Sequence, residues 1–109
     1  MSSKKQKPLN NFLLNLSPIL KFKIAGHSMS PTLDDRQIVL VNRFYFFFKK
    51  PQVNDIIAAN INGKIFIKRI TKIKINNYFL SGDNKKDSID SRKFGMISKR
   101  NIIGKVIFK

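Results

Sequence analysis

Ser28 is the serine best placed for chemistry, because it lies in the short segment GHSMSPTL at residues 26–33. A strand is predicted just before this segment, and Gly26 before Ser28 and Pro31 after it favour a sharp turn. Such a turn presents one hydroxyl group while its backbone N–H groups face an oxyanion. Ser28 is therefore the candidate nucleophile, and the alternative is an ordinary surface turn whose serine has no chemical role.

A serine nucleophile needs a general base within hydrogen-bond reach. His27, the one histidine of the chain, is the immediate neighbour of Ser28. Adjacent side chains on an extended segment point in opposite directions, so His27 is poorly placed to take the Ser28 proton. A serine–histidine–aspartate triad is therefore not favoured, and lysine remains as the common alternative.

A lysine acts as a base only when burial lowers its pKa from ~10.4. Among the 17 lysines, Lys68 is the one that the sequence favours for burial. Period-2 alternation on a predicted strand places it between Phe66 and Ile70 on one face. The alternative is an edge strand on which Lys68 extends to water.

A third polar segment, residues 81–95, follows a predicted strand and contains three of the six aspartates. In one interpretation it is a surface turn rich in side chain to backbone hydrogen bonds. In the other it is a structural support, in which Asp90 and Arg92 form a charge-assisted pair. Ser88 would then orient the amine of Lys68.

The elements that must position these residues are mainly β-strands. Alternating apolar residues predict strands at 21–25, 37–41, 55–60, 64–70, 72–75, 78–80 and 101–108. Asn62-Gly63 and Asn76-Asn77 predict two hairpin turns, and residues 9–16 predict a short N-terminal helix that ends before Pro18. The expected fold is mainly β, a compact, barrel-like or folded-sheet domain of short antiparallel strands.

The net charge of +16 and the absence of cysteine limit the function classes. Without cysteine neither a disulfide nor a thiolate zinc site can form, and one histidine disfavours a transition-metal site, so we expect no metal and no cofactor. The charge is typical of proteins that bind nucleic acid or an anionic membrane, which is a competing, non-enzymatic interpretation. Because 17 of the 22 basic residues are lysine, recognition of nucleotide bases is not favoured, and no nucleic-acid partner is expected.

Residues 1–8 are predicted to be a disordered basic tail, and residues 9–109 a single folded domain. The apolar stretch at 9–20 is interrupted by polar residues and is shorter than the ~20 residues of a membrane-spanning helix. A cytoplasmic location is therefore expected, with contact at the membrane surface as an open alternative. The run Phe44–Phe48, followed by Lys49 and Lys50, predicts a strand buried on both faces, a loop over the core, or a membrane contact.

Three segments in this order resemble the motifs of the signal peptidase I family of serine–lysine proteases. The segment GHSMSPTL at 26–33 resembles the nucleophile motif, and IKRI at 67–70 resembles the general-base motif. The segment GDNKKDSIDSRKFG at 82–95 resembles the long third motif, which is the most specific of the three. The resemblance extends from about residue 24 to residue 106.

This resemblance implies a role for each candidate residue. Ser28 attacks the scissile carbonyl group, Lys68 takes its proton, and Ser88 holds the lysine amine. The Ser28 backbone N–H supplies part of the oxyanion site, while Gly26 stands where some family members have a serine hydroxyl group as a second donor. The implied structural supports of the active-site wall are Asp90 and Arg92.

The short chain most resembles the branch of nickel-type superoxide dismutase maturation proteases. We expect no N-terminal transmembrane segment in this sequence, unlike typical signal peptidases, and their Leu-Pro-Gly-Asp turn does not follow Lys68. The resemblance implies a serine endopeptidase domain at 9–109 that binds a precursor protein as an extended peptide and removes its N-terminal segment. The alternative within the family is general processing of secretory precursors.

Overall fold

The structure, a computed structural model, describes residues 17–108 of the chain, apart from the side chain of Phe108. The predicted tail at 1–8 and the predicted helix at 9–16 lie outside the described residues. Within the described part, no helix is long and apolar enough to cross a membrane.

Seven antiparallel strands form one sheet in the order β1-β2-β7-β3-β4-β5-β6. The sheet is open and does not close into a barrel, so the mainly β prediction is confirmed in its folded-sheet form. Two single-turn helices and two 3₁₀ turns complete the described part. The strands are β1 Ile19–Lys23, β2 Ile38–Asn42, β3 Ile56–Ile61, β4 Lys64–Lys74, β5 Asn77–Ser81, β6 Ile97–Ser98 and β7 Ile102–Phe108; the helices are α1 Tyr45–Phe48 and α2 Ser91–Phe94; the 3₁₀ turns are Lys85–Asp87 and Lys99–Asn101.

The first predicted hairpin turn is confirmed. Ile61 pairs with Lys64, so Asn62 and Gly63 form a two-residue connection between β3 and β4. Their φ angles are 54° and 85°, which fit a turn with both central residues at positive φ. Asparagine and glycine tolerate this conformation better than other residues, so the turn fixes the register in which Lys68 pairs with Ile57.

The second hairpin turn lies one residue before the predicted position. Lys74 pairs with Asn77, so Ile75 and Asn76 make the connection between β4 and β5, and Ile75 has a φ of 56°. The prediction at Asn76-Asn77 was wrong because cross-strand burial sets the register. Ile73 opposite buried Tyr78 packs on the core, and this contact outweighs the preference of the turn.

Two apolar clusters lie on opposite faces of β3, whose residues Ile57, Ala58 and Ala59 are fully buried. One cluster contains Met29, next to the candidate nucleophile, and the other contains Ile70, near the candidate base. The buried members of the first are Ile24, Met29, Leu33, Val39, Val41, Ile56, Ala58 and Val106. Those of the second are Phe46, Ile57, Ala59, Ile70, Tyr78, Leu80 and Ile97. Core packing therefore anchors the two reactive segments separately.

The aromatic run forms helix α1 rather than a strand, so the prediction of a strand buried on both faces was wrong. Successive helical residues turn by about 100°, which lets a single turn bury one side chain and expose the next ones. Phe46 packs into the second cluster, whereas Phe47 is 77% and Phe48 86% exposed. Lys49 and Lys50 follow them on the surface.

Candidate active site

The candidate nucleophile lies in a turn that follows β1 after two further residues, Ile24 and Ala25. Met29, only 1% exposed, anchors this turn in the first cluster, while His27 before it is exposed and Ser28 is half-buried. Leu33 N–H donates to the Met29 carbonyl group at 2.9 Å and holds the turn closed. The turn begins at Gly26, which has a φ of 90° and donates its N–H to Asp35 Oδ1 at 2.8 Å.

Lys68 is 3% exposed, so the alternative in which its side chain extends to water is wrong. The apolar neighbours expected on its face are present, because Ile70 is fully buried and the Phe66 ring packs against Phe94 at 5.4 Å. Burial lowers the pKa of Lys68 below its ordinary value of 10.5, although Asp90 and Asp87 oppose this shift. A larger share of Lys68 is therefore neutral, and able to accept a proton, than of an exposed lysine.

Ser88 connects the lysine to a buried carboxylate. Lys68 Nζ donates to Ser88 Oγ at 3.1 Å, and Ser88 Oγ donates in turn to Asp90 Oδ2 at 3.1 Å. Since the Ser88 proton is directed at Asp90, the serine oxygen accepts from the lysine amine. This arrangement fixes one N–H of Lys68 and leaves the lone pair of the neutral amine free to face another partner.

Asp90 is fully buried and is held by donors on several sides. Arg92 Nε donates to Asp90 Oδ1 at 2.9 Å, and the Arg92 N–H donates to the same oxygen at 3.0 Å. Gly82 N–H donates to Asp90 Oδ2 at 3.3 Å. Burial alone would raise the pKa of Asp90, but the hydrogen bonds from Arg92, Gly82 and Ser88 lower it below its ordinary value. Asp90 is therefore a charged anchor rather than a proton donor at neutral pH.

Asp83 is a connecting residue that the sequence interpretation did not single out. Its carboxylate accepts from Arg69 Nε at 2.9 Å and Nη2 at 2.8 Å, and from Thr32 Oγ1 at 2.6 Å. Asn84 N–H also donates to the Ser28 carbonyl group at 2.8 Å. These bonds tie the loop after β5 to the nucleophile turn and to the residue next to the candidate base. The run of Gly, Asp and Asn directly after a strand was the signal that marked this segment.

A glycine is required at position 82 because the backbone there passes very close to Ser28 and Ser88. A side chain at this position would have its Cβ 2.6 Å from the Ser28 carbonyl oxygen and 2.7 Å from Ser88 Cβ, and would also overlap Ser88 Oγ. Such distances are shorter than van der Waals contact. The absence of a side chain at Gly82 therefore allows the third segment to bring Ser88 close to the nucleophile turn.

Ser28, Lys68 and Ser88 line one open groove with a volume of about 630 Å³. Within the described residues no hydrogen bond joins Ser28 Oγ to Lys68 Nζ, which donates to Ser88 Oγ instead. The structure thus brings the predicted nucleophile, base and orienting serine to one place without a direct contact of the first two. The lining residues are 22–29 from β1 and the nucleophile turn, 64–68 from β4, and 86–89 from the loop after β5.

Two strand edges border this groove. β1 pairs on one side only, with β2, and its other edge carries no strand among the described residues. β4 pairs with β3 along residues 64–69, but its pairing with β5 begins at Arg69. The edge of β4 at residues 64–68 is consequently free of a strand partner in the described part, on the side of the groove.

The fold and the groove define a small domain of one open antiparallel sheet, in which a serine and a buried lysine face the same cleft. Residues 2–107 match the Peptidase S24-like family, and the chain therefore belongs to this family.

Several curated relatives are named as processing peptidases or signal peptidases. Probable thylakoidal processing peptidase 2 of Arabidopsis thaliana is 26% identical, with 79% of this chain and 36% of the plant protein covered. Probable signal peptidase I-1 of Synechocystis is 26% identical, covering 97% of this chain and 81% of its own length. Signal peptidase I V of Bacillus subtilis is 24% identical, with 78% of this chain and 82% of the relative covered. The chain thus spans about a third of the plant relative and most of the two bacterial ones.

Proposed function

We propose that the protein is a serine endopeptidase in which Ser28 attacks the peptide bond and Lys68 is the general base. The observation that carries this proposal is the position of Lys68, 3% exposed and hydrogen-bonded to Ser88 at 3.1 Å, in the groove that also contains Ser28. Burial favours the neutral amine, which is the form that takes a proton. The family of the chain supports the same reaction class.

In the proposed reaction, Ser28 Oγ forms a bond to the scissile carbonyl carbon while Lys68 Nζ takes the hydroxyl proton. The carbonyl π electrons move to oxygen, and the resulting oxyanion needs donors nearby. When the C–N bond breaks, Lys68 returns the proton to the leaving amine. Water then attacks the carbonyl carbon of the acyl-enzyme and gives a proton to Lys68. When the ester C–O bond breaks, Lys68 returns this proton to Ser28 Oγ, which releases the new carboxyl terminus and restores Ser28 and the neutral Lys68.

The Ser28 backbone N–H is the donor that we assign to the oxyanion. Within the described residues it makes no backbone or side-chain hydrogen bond, whereas the Gly26 N–H is already bound to Asp35. Apart from Gly26 and its two neighbours in the chain, no described residue has an atom within 4 Å of the place where a Gly26 side chain would begin. This space is open to water, which we propose as the second donor in place of a side-chain hydroxyl group.

We propose that the substrate binds as an extended strand along the two free edges of β1 and β4. Main-chain hydrogen bonds to both edges would hold a peptide across Ser28 without requiring a particular sequence. Side chains on alternate positions would then enter the groove and provide selectivity.

The proposed substrate is a precursor protein whose N-terminal segment is removed. The names of the relatives, processing peptidase and signal peptidase, support this substrate class. The resemblance to the nickel-type superoxide dismutase maturation branch makes the pro-form of that enzyme the first candidate. General processing of secretory precursors is the second candidate.

The test is to incubate the purified full chain with each candidate precursor and to read new N-termini by mass spectrometry. We expect one new terminus in the superoxide dismutase pro-form, and no cleavage by Ser28→Ala at an unchanged melting temperature. Since His27 is exposed and is not the proposed base, His27→Ala should retain most of the activity.

Three results would overturn the proposal in part or as a whole. Comparable losses for Ser28→Ala and His27→Ala would argue against Lys68 as the base. Cleavage of a membrane-inserted secretory precursor, without cleavage of the superoxide dismutase pro-form, would favour a general signal peptidase. A protein that cuts neither precursor but binds nucleic acid with a steep salt dependence would be a basic binding module.

A further inference from the structure

Three exposed lysines surround the groove, and each comes from a different segment. Lys23 lies on β1, Lys64 at the start of β4, and Lys86 in the loop after β5. None of them forms an ion pair within the described part of the chain. Asp87 is the one exposed acid among the lining residues, so unpaired positive charge predominates around the groove.

We propose that this groove selects peptides with acidic side chains close to the scissile bond. The inference rests on the proposed endopeptidase function and extends it to a class of substrate sequence. A cleft lined by charges of one sign focuses the electrostatic potential and attracts the opposite charge. A carboxylate held in the groove would face lysines on both walls.

The register of β4 indicates where one acidic residue would lie. Lys64 precedes Lys68 by four residues, and the pairing of β4 with β3 is regular between them. Residues i and i+4 of a strand project from the same face, about 13 Å apart at ~3.3 Å per residue. A peptide extended along this edge has the same rise. An acidic side chain four positions from the scissile bond would therefore reach Lys64.

Lysine is frequent on the whole surface of this basic chain, so a suitable test compares groove lysines with a lysine elsewhere. Lys72 is a matched control, because it is exposed on the same strand but does not line the groove. The peptides are fluorogenic, with four residues on each side of the cleaved bond. Each peptide carries either Glu or Gln at the fourth residue from the cleaved bond. This residue lies on one of the two sides of the bond, which are called the N-terminal and the C-terminal arm.

We expect Glu to raise kcat/KM about two- to fivefold over Gln on one of the two arms, the range of a partly exposed ion pair. Lys64→Gln should bring this ratio close to one, and Lys72→Gln should leave it unchanged. The triple variant Lys23→Gln/Lys64→Gln/Lys86→Gln should abolish any remaining preference. At about 1 M salt, where the screening length is ~3 Å, the wild-type preference should nearly disappear.

The affinity of Ser28→Ala for the same peptides, measured by fluorescence anisotropy, provides a readout that does not need catalysis. Tighter binding of the Glu peptides, lost on Lys64→Gln in the same background, supports the inference even if no peptide is cleaved. Equal affinity and equal kcat/KM for Glu and Gln on both arms would overturn it. An equal loss of preference in Lys64→Gln and Lys72→Gln would also overturn it, because it would show an effect of net charge alone. Absence of cleavage would count against the proposed function and not against the charge preference.

Discussion

Lys68 Nζ lies 3.1 Å from Ser88 Oγ, and this hydroxyl group is itself bound to the buried Asp90. The amine is therefore oriented by a side chain that a charged anchor holds in place. Its position does not depend on solvent, because Lys68 is only 3% exposed.

Ser88→Ala should lower kcat about 100-fold, since a misplaced catalytic group loses on this order of rate. The peptide affinity should change little, because Ser88 acts on Lys68 and not on the substrate main chain. Ser88→Thr, which keeps the hydroxyl group, should recover part of the rate. Measurements of kcat and KM for both variants over a range of pH test this prediction. A rise in KM with an unchanged kcat would contradict a positioning role.

Lys68 should make the activity rise with pH. Because burial lowers the pKa of Lys68, the rise should have its midpoint below the ordinary lysine value of 10.5. Lys68→Arg and Lys68→Met should both be inactive, since neither side chain accepts a proton. A rate that is constant from mildly acidic to alkaline pH would exclude a lysine base.

The stability of the protein should change over the same pH range. The pKa of Lys68 is lower in the folded than in the unfolded state, so between the two values the unfolded chain binds more protons and stability increases with pH. Lys68→Met has no such group. The difference between the melting temperature of Lys68→Met and that of the wild type should therefore be highest near neutral pH. This difference should fall as the pH approaches 10.5. Thermal unfolding at several pH values measures this, and a difference that increases with pH would contradict it.

Gly82→Ala should destabilise the fold by about 1–3 kcal/mol, the usual range for overpacking. It should also abolish cleavage, because its Cβ would displace Ser88 from Lys68. Gly63→Ala is the matched control. Apart from its two neighbours in the chain, no described residue has an atom within 4 Å of its Cβ position, and its φ of 85° costs only backbone strain of about 1–2 kcal/mol. Denaturant unfolding and peptide cleavage compare the two, and equal activity losses would argue against a steric role of Gly82 at the site.

Phe47 and Phe48 provide a test of the membrane contact that the sequence left open. With Lys49 and Lys50 they combine exposed aromatic rings with positive charge, and we propose that they bind an anionic bilayer surface. Phe47→Ser/Phe48→Ser should weaken binding to phosphatidylserine vesicles about tenfold, as judged by sedimentation. Ile75→Ser is the control, since Ile75 is also 86% exposed. An equal effect of the control, or no vesicle binding by the wild type, would contradict this proposal.

The parts of this structure that follow local patterns could be predicted from the sequence. Alternation placed Lys68 among apolar neighbours, and Asn62-Gly63 marked the first hairpin. The turn at Ile75 could not be placed, because its register depends on the burial of Ile73 opposite Tyr78.

The contacts that assemble the site depend on folding of the sheet as a whole. Arg69 and Asp83 are 14 residues apart, and their bidentate pair forms only when β4 and the loop after β5 are packed. Helix α1 was missed for a related reason. A run of consecutive aromatics has neither a helical nor a strand period, so only its packing against the second cluster decides its conformation.

Strand β7 lies between β2 and β3 in the middle of the sheet, although it is the last strand in chain order. The half of the sheet that carries Ser28 and the half that carries Lys68 are therefore joined through residues 102–108. During synthesis both halves emerge from the ribosome before the strand that joins them. The groove between them would thus be assembled after translation of residue 108, so a nascent chain would remain without a complete site until that point.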